Sequence, residues 1–164
     1  MKQPNPEYIE KLKRLVNQAP FFAHLSLTLS NIGIGFADFA MTVHQHHFQP
    51  FGFAHGGVIA SLIDSAAFWS THFDLDGPGK SCTSVDLKLN YLAPVASGQL
   101  LTRGKCIKMG KRLGYAEAEV RDQEGKLVSH GTSTLMVLEA GGLAGNPNLP
   151  EKYLPSECPQ TTGG

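Results

Sequence analysis

The stretch from Gln49 to Trp69, QPFGFAHGGVIASLIDSAAFW, decides the fold of this chain. It opens with a turn rich in proline and glycine and continues as an apolar helix. Asp64, in the middle of that helix, is the one charged residue between His55 and His72. A helix that is apolar on nearly all sides is normally buried, and a buried carboxylate is costly unless it is paired or hydrogen-bonded. The carboxylate therefore needs a structural or a chemical reason.

The spacing of His55 and Asp64 narrows that reason. Nine residues of α-helix span ~2.5 turns and ~13.5 Å, so the two lie on roughly opposite sides of the helix. Two antiparallel copies in a dimer would place the start of one helix beside Asp64 of the other. The free amides at the helix start, above all that of Gly56, suit a developing oxyanion, and the carboxylate suits a base or a nucleophile. The alternative is a core helix whose Asp64 forms a buried pair at a dimer interface.

These features resemble the hotdog-fold acyl-CoA thioesterases, especially the branch of phenylacetate-pathway and 4-hydroxybenzoyl-CoA thioesterases. The resemblance covers residues 21–138 and begins with an HGG motif that has an acidic residue nine positions after the histidine. Three further matches are a glutamine six positions before the histidine, a strand that starts Ser-Val-Asp and ends Tyr-Leu-Ala-Pro, and a glycine-basic hairpin. They lie at Gln49, at residues 84–94 and at residues 110–112.

The resemblance implies an α+β hotdog fold, in which a curved antiparallel sheet wraps around a long central helix. It also implies an acyl-CoA thioesterase that works as a homodimer and assembles further into a homotetramer. No metal, nucleotide or prosthetic group is expected, since CoA is part of the substrate. The implied catalytic residues are Asp64, Gly56, His55, Gln49 and Ser84, and the implied substrate-binding residues are Gly57, Lys111, Arg112 and Phe68.

Each implied catalytic residue has its own expected role. Gly56 polarises the thioester carbonyl, and His55 orients the loop or the thioester. Gln49 hydrogen-bonds the substrate or a water molecule from the same side. Asp64 of the partner subunit attacks the carbonyl or activates water, and Ser84 positions that water.

Composition limits the function classes. With 164 residues the chain forms one domain, and its 14 basic and 14 acidic residues give no net charge and no case for a nucleic-acid partner. The three cysteines, Cys82, Cys106 and Cys158, lack metal-type spacing and favour a reducing, cytoplasmic location. The N-terminus does not resemble a signal peptide, and no segment approaches the ~20 apolar residues needed to cross a membrane.

Patterning divides the chain into three parts. Residues 1–20 contain an N-terminal helix, with Asn5 as N-cap and Pro6 as first residue, and a linker that breaks it. Residues 21–140 form the hotdog domain, with strand patterns on both sides of the central helix. Residues 141–164 are rich in Gly, Pro, Asn and Thr and are expected to be a flexible tail.

Other candidate sites carry weaker signals. His44, His46 and His47 are more typical of loop-anchoring or solvated histidines than of a metal site, because no carboxylate or cysteine lies near them in sequence. The basic side chains around Lys111 and Arg112 have two interpretations, a solvated hairpin or a contact with the phosphates of CoA. The acyl group also stays open, since the aromatic side chains that could line its pocket suit aliphatic or aromatic groups; these are Phe21, Phe22, Phe68 and Trp69.

Two functional alternatives remain beside hydrolysis. The first is a non-catalytic dimer that binds acyl-CoA, which the retained carboxylate disfavours because binding alone does not need one. The second is a hotdog hydratase. That class pairs a histidine with an acid fourteen residues further on, and the position after His47 is occupied by Ser61.

Overall fold

A computed structural model describes residues 2–75, 77 and 79–155. The described chain contains a mixture of helices and strands, with a short 3₁₀ turn before the longest helix. The elements are α1 (Pro6–Asn17), α2 (Pro20–His24), β1 (Leu27–Gly33), β2 (Phe36–Thr42), the 3₁₀ turn (Gln45–His47), α3 (Gly56–Ser70), β3 (Ser81–Tyr91), β4 (Gln99–Met109), β5 (Leu113–Asp122) and β6 (Leu127–Leu138).

All six strands form one antiparallel sheet in the order β1-β2-β4-β5-β6-β3. Tight turns that suit their sequences connect the strands that are consecutive both in the chain and in the sheet, β1–β2, β4–β5 and β5–β6. Gly35, at φ 75°, turns β1 into β2. Between β5 and β6, the Asp122 carboxylate accepts hydrogen bonds from the backbone N–H groups of Glu124 and Lys126. Strand β3 is at the edge of the sheet, so among the described residues one side of its backbone has no partner strand.

Helix α3 packs across one face of the sheet and contacts all six strands. Two strand glycines let it approach closely. A Cβ at Gly104 of β4 would lie 1.9 Å from the backbone oxygen of Ala66, and one at Gly131 of β6 would lie 2.7 Å from Ile63 Cγ2. The helix therefore rests directly on the sheet. The core between them is made of aliphatic and aromatic side chains, among them Leu29, Phe39, Leu62, Ile63, Leu100 and Leu135.

The N-terminal helix belongs to the same packed body. The Asn5 side chain accepts a hydrogen bond from Glu7 N–H and caps α1, and α1 buries Leu12 against the core. At its other end, the Asn17 side chain accepts a bond from Leu29 N–H and donates one to Leu29 C=O. These bonds attach α1 to the first strand.

Residues 141–155 do not behave as the expected flexible tail. Tyr153 forms a β-bridge with Pro4, and its hydroxyl donates a hydrogen bond of 2.5 Å to the carbonyl of Phe73. Leu143 and Leu149 pack against the core. The composition is typical of a mobile segment, but its few apolar side chains dock it beside α1 and the end of α3. Residues 156–164, which include Cys158, lie outside the described residues.

The predicted α+β architecture is confirmed, including an N-terminal helix and strands on both sides of the central helix. One local expectation was incomplete. The break after α1 is followed by a second short helix, α2, because Pro20 suits the first helical position. Among the described residues, no helix is both long enough and apolar enough to cross a membrane.

Candidate active site

The loop before α3 is held in place by backbone hydrogen bonds. Ala54 N–H donates to Val95 C=O at 2.8 Å, and His55 N–H donates to His47 C=O at 2.8 Å. His47 is buried, and its Nδ1 accepts a bond from the backbone N–H of His44. Burial, with His46 and His44 close by, lowers the pKa of His47, so the ring is neutral at pH 7. The histidines therefore anchor the loop that precedes α3.

The start of α3 leaves one amide free for a ligand. His55 is the N-cap, and its Nδ1 accepts a hydrogen bond of 2.8 Å from Gly57 N–H. Val58 N–H and Ile59 N–H both donate to His55 C=O. The N–H of Gly56 has no acceptor within the described part of the chain. Of the first-turn donors, Gly56 is thus the one that can bind a developing negative charge, with the helix dipole adding to its effect.

Asp64 projects from the middle of α3 and has a hydrogen-bond donor from the sheet. Ser84 Oγ donates to Asp64 Oδ1 at 2.7 Å. Ser84 lies directly before a β-bulge in β3, where the register shifts between Ser84 and Asp86. The bulge breaks the strict alternation of the strand and lets side chains near it take an altered direction. The carboxylate thus has one fixed donor.

The face of α3 that carries Asp64 is less buried than the apolar sequence predicts. Gly57 is exposed, and Ser61, Asp64 and Phe68 are half-buried. Their spacing places them along one side of the helix. The expectation of a helix buried on nearly all sides is therefore wrong for a single chain, because the sheet covers only the opposite side.

Gln49 and Gly56 share a cavity. Its volume is about 410 Å³, and its wall includes Tyr91 from the end of β3 and Ile59 from α3. The Gln49 side-chain oxygen accepts a hydrogen bond from Phe51 N–H, which closes the loop. The side-chain nitrogen of Gln49 donates to no other described residue, so it can donate to a ligand.

A second cavity, of about 310 Å³, lies on the other side of the α3 start. It contains His55 and Gly57 together with Phe21 of α2 and Ser61 of α3. Not all of the aromatic side chains predicted for the acyl pocket line it. Phe22 packs against Phe39 in the core, and Phe68 contacts Trp69 edge-on at 5.4 Å between ring centroids; only Phe21 lines this cavity.

Lys111 and Arg112 are exposed in the β4–β5 turn. The strand register fixes their position relative to the carboxylate, because Leu113 pairs with Met136 on β6 and Met136 pairs with Thr83 on β3. Two strand spacings, or about 10 Å, therefore separate this turn from the β3 segment that holds Ser84. The turn lies at the same end of the sheet as the Asp64 carboxylate.

The single chain does not bring all the predicted site residues together. Gly56 and Gln49 line one cavity, whereas Asp64 and Ser84 form a separate pair eight helical residues further on, about 12 Å along the axis. One contact escaped sequence reasoning. The Tyr91 hydroxyl donates a hydrogen bond of 3.0 Å to Gly56 C=O, although the sequence only marks Tyr91 as the end of a strand.

Within the described residues, no three or more His, Cys, Asp or Glu side chains are grouped as metal ligands.

Comparison with known proteins places these features in a family. Residues 51–129 match the profile of the family described as Thioesterase superfamily. The chain is 31% identical over 97 residues to acyl-coenzyme A thioesterase 13 of Mus musculus, covering 57% of this chain and 67% of that protein. It is 28% identical over 111 residues to the Homo sapiens protein of the same name, covering 66% of this chain and 77% of that protein.

A solved structure agrees with the sequence comparisons. The crystal structure of a thioesterase from Haemophilus influenzae superposes with a TM-score of 0.74 at 28% sequence identity, covering 84% of this chain and 95% of that one. The matched family segment runs from the loop before α3 to β6, and it includes both Gly56 and the Asp64–Ser84 pair. The chain belongs to the thioesterase superfamily, has its hotdog fold, and is a thioester hydrolase.

Proposed function

We propose that this protein hydrolyses small or medium acyl- or aryl-CoA thioesters to the free acid and CoA, at a site shared across a homodimer interface. The observation that carries the proposal is the separation of two complementary groups. Gly56 offers a free N–H, and Asp64 offers a carboxylate about 12 Å away on the same helix. A single thioester group cannot contact both within one chain. Antiparallel α3 helices from two subunits would place Asp64 of the partner subunit beside Gly56.

Two exposed surfaces support the proposal that a second subunit completes the site. The half-exposed side of α3 carries Ser61, Asp64 and Phe68. The edge strand β3 is eleven residues long, and Val85 within it is 53% exposed. Long, unpaired edge strands tend to pair with another strand. Pairing β3 with its own copy about a two-fold axis would cover that edge and run the two α3 helices antiparallel.

In the proposed reaction, Gly56 N–H donates a hydrogen bond to the thioester oxygen as it becomes an oxyanion. Asp64 of the partner subunit then acts in one of two ways. As a base, it takes a proton from a water molecule whose oxygen attacks the carbonyl carbon. As a nucleophile, its own oxygen attacks and forms a mixed anhydride that water later hydrolyses. In both cases the carbon–sulfur bond breaks and CoA leaves as the thiolate, which then takes up a proton.

The other predicted residues assist this chemistry. Ser84 holds the carboxylate through its 2.7 Å hydrogen bond, which leaves Oδ2 for the water or the carbonyl carbon. Gln49 donates from its side-chain nitrogen to the substrate or the water. His55 keeps Gly57 N–H occupied and so fixes the first turn of the helix. The reaction needs a carboxylate, an amide and water, which the chain and the solvent supply, so the proposal calls on no cofactor.

CoA is the proposed carrier for two reasons. The relatives from mouse and human are named as acyl-coenzyme A thioesterases. The exposed turn at Lys111 and Arg112 also presents two positive charges at the end of the sheet where the Asp64 carboxylate lies. There they can attract the phosphates of CoA. We further propose a cytoplasmic location, supported by two free thiols, Cys82 and Cys106.

Mixed dimers test the shared site. Gly56→Pro removes the N–H group that is the proposed oxyanion donor. The backbone can accommodate this proline, because proline is favoured at the first helical position and because the preceding residue, His55, already has the extended conformation that proline requires. Each of Gly56→Pro and Asp64→Asn should be inactive as a homodimer. A dimer of one Gly56→Pro chain and one Asp64→Asn chain should recover about half of the wild-type activity, since a shared site leaves one of its two sites intact.

The control separates the lost N–H from the added carbon atoms. Gly56→Ala adds a Cβ but keeps the amide, so it should be more active than Gly56→Pro. Free thiol release would be followed over an acyl chain-length series together with phenylacetyl- and benzoyl-CoA. Mixed dimers as inactive as their parents would contradict the shared site, and so would a fully active monomer in sedimentation and activity measurements.

A further inference from the structure

Tyr91 links the end of the edge strand to the start of the central helix. Its hydroxyl donates a hydrogen bond of 3.0 Å to Gly56 C=O. The backbone below the ring is fixed by the sheet, since Tyr91 pairs with Ser129 of β6 and Leu92 N–H donates to Val128 C=O at 2.8 Å. The ring therefore reaches from a rigid strand to the residue that carries the free amide.

The ring also lies directly against the place that a side chain at residue 56 would occupy. A Cβ at Gly56 would lie 2.9 Å from Tyr91 Oη and 3.0 Å from Tyr91 Cζ. The backbone of Gly56 is helical and has no positive φ, so conformational freedom is not the reason for glycine there. A side chain at residue 56 would therefore have to displace the Tyr91 ring from the start of the helix.

Tyr91 is also a wall of the cavity that contains Gln49 and Gly56. Tyr91 is 57% exposed, yet its hydroxyl proton is directed at a backbone carbonyl. A hydroxyl that already donates to Gly56 C=O is not placed to protonate the leaving sulfur. Its effect on a reaction at Gly56 N–H is therefore one of position.

We infer that Tyr91 is a positioning residue for thioester hydrolysis, which holds the first turn of α3 so that Gly56 N–H faces the cavity. The inference rests on the proposed role of Gly56 as the oxyanion donor. Small displacements of an oxyanion donor weaken its bond to the transition state more than they weaken ground-state binding. The contribution of Tyr91 should therefore be visible in kcat rather than in KM.

Tyr91→Phe tests the inference, because it removes the hydroxyl and keeps the ring. We expect kcat to fall by roughly threefold to tenfold, as for the loss of one hydrogen bond, with KM within about twofold of the wild type. Tyr115→Phe is the matched control, since Tyr115 is another exposed strand tyrosine and lies on β5, two strands away from β3. A ¹⁵N–¹H spectrum of the resting protein should show the Gly56 amide resonance shifted in Tyr91→Phe and unchanged in Tyr115→Phe.

A double-mutant cycle gives a second readout. Gly56→Ala should push the Tyr91 ring away and break the same hydrogen bond. The kcat losses of Gly56→Ala and Tyr91→Phe should therefore combine to less than their product, because both remove one interaction. Multiplicative losses would overturn the inference.

Other results would also overturn it. An unchanged kcat in Tyr91→Phe with an unmoved Gly56 resonance would show that the hydrogen bond is incidental. A raised KM with unchanged kcat would make Tyr91 a substrate contact instead. The proposed function fails separately. Full activity in Asp64→Asn alongside a slow Tyr91→Phe would remove only the role of Asp64, whereas inactive Asp64→Asn with unchanged Tyr91→Phe would remove only this inference.

Discussion

The hydroxyl of Ser84 donates a hydrogen bond of 2.7 Å to the carboxylate of Asp64, and it joins the edge strand to the middle of the central helix. This bond compensates part of the cost of placing a carboxylate in an apolar helix. It also fixes which oxygen of the carboxylate remains available. A carboxylate that one donor holds in place and that keeps one oxygen free is suited to act on a substrate bound at the Gly56 amide of the other subunit.

Replacing Asp64 by Asn tests this role most directly. The amide keeps the shape and can still accept from Ser84, so the fold should be retained. Without a base or nucleophile, turnover should fall by ~10²–10⁴-fold, while acyl-CoA still binds. Steady-state thiol release and a binding measurement by calorimetry would be compared with the wild type. Near-normal turnover would show that the carboxylate is purely structural.

The nucleophile and base pathways for Asp64 can be separated by isotope. In a single turnover in ¹⁸O-water, label in the Asp64 side chain would show direct attack followed by hydrolysis of the anhydride at the Asp64 carbonyl carbon, because attack by water on the thioester puts label only in the released acid. Ser84→Ala is a useful companion, because it removes the fixed donor while the carboxylate remains. Its turnover should fall less than that of Asp64→Asn.

Gln49 is expected to act by hydrogen bonding rather than by proton transfer. Gln49→Ala should lower kcat less than Asp64→Asn does. Gln49→Asn separates two contributions, because an asparagine at this position can still accept from Phe51 N–H in an Asx-type turn. We expect Asn to restore the thermal stability of the loop fully and the activity only in part. Full recovery of activity, or unchanged kinetics in Gln49→Ala, would reduce Gln49 to a loop residue.

The basic turn at Lys111 and Arg112 should affect substrates that carry phosphates. Replacing both residues by Gln should raise KM for acyl-CoA by roughly threefold to tenfold, because exposed ion contacts contribute modestly, and kcat should stay the same. An acyl-pantetheine thioester, which lacks the nucleotide, should be unaffected. Lys126→Gln in the β5–β6 turn serves as the control. Equal effects on both substrates would rule out a contact with the phosphates.

His72 should make folding stability depend on pH. Burial, together with the nearby Lys152 charge, lowers its pKa to about 3, and its Nε2 is 2.9 Å from the Tyr8 hydroxyl. The unfolded chain takes up a proton near pH 6.5, where the folded chain does not. The free energy of unfolding should therefore fall as the pH drops from about 6.5 toward 3, by up to ~1.4 kcal/mol per pH unit.

The variant His72→Gln isolates this contribution. Glutamine removes the titrating ring and keeps a polar group near Tyr8, so the pH dependence should become flatter even if the protein is less stable at pH 7. His24→Gln, at an exposed histidine of α2, should leave the slope as in the wild type. Urea denaturation at several pH values would measure both. Equal slopes in His72→Gln and the wild type would contradict a neutral His72 in the folded chain.

Local signals predicted most of the elements. The Asn5-Pro6 pair begins α1, and the four strands after α3 lie close to where alternation places them. These features depend on interactions between residues near each other in sequence, such as capping bonds and the alternation of side chains across a strand. The same reasoning failed for residues 141–155, because docking of a few apolar side chains depends on a surface made by distant parts of the chain.

The sequence by itself determined which residues are candidates for the chemistry: the HGG start of α3, the acid nine positions after His55, and the glutamine six before it. Only the tertiary structure decided which of them meet. Ser84 reaches Asp64, and Tyr91 reaches Gly56, because strand order and the bulge after Ser84 set the register of β3 beneath the helix. A shift of one residue turns every side chain of a strand to the other face. That choice is made by long-range packing, which short-range patterns in the chain do not encode.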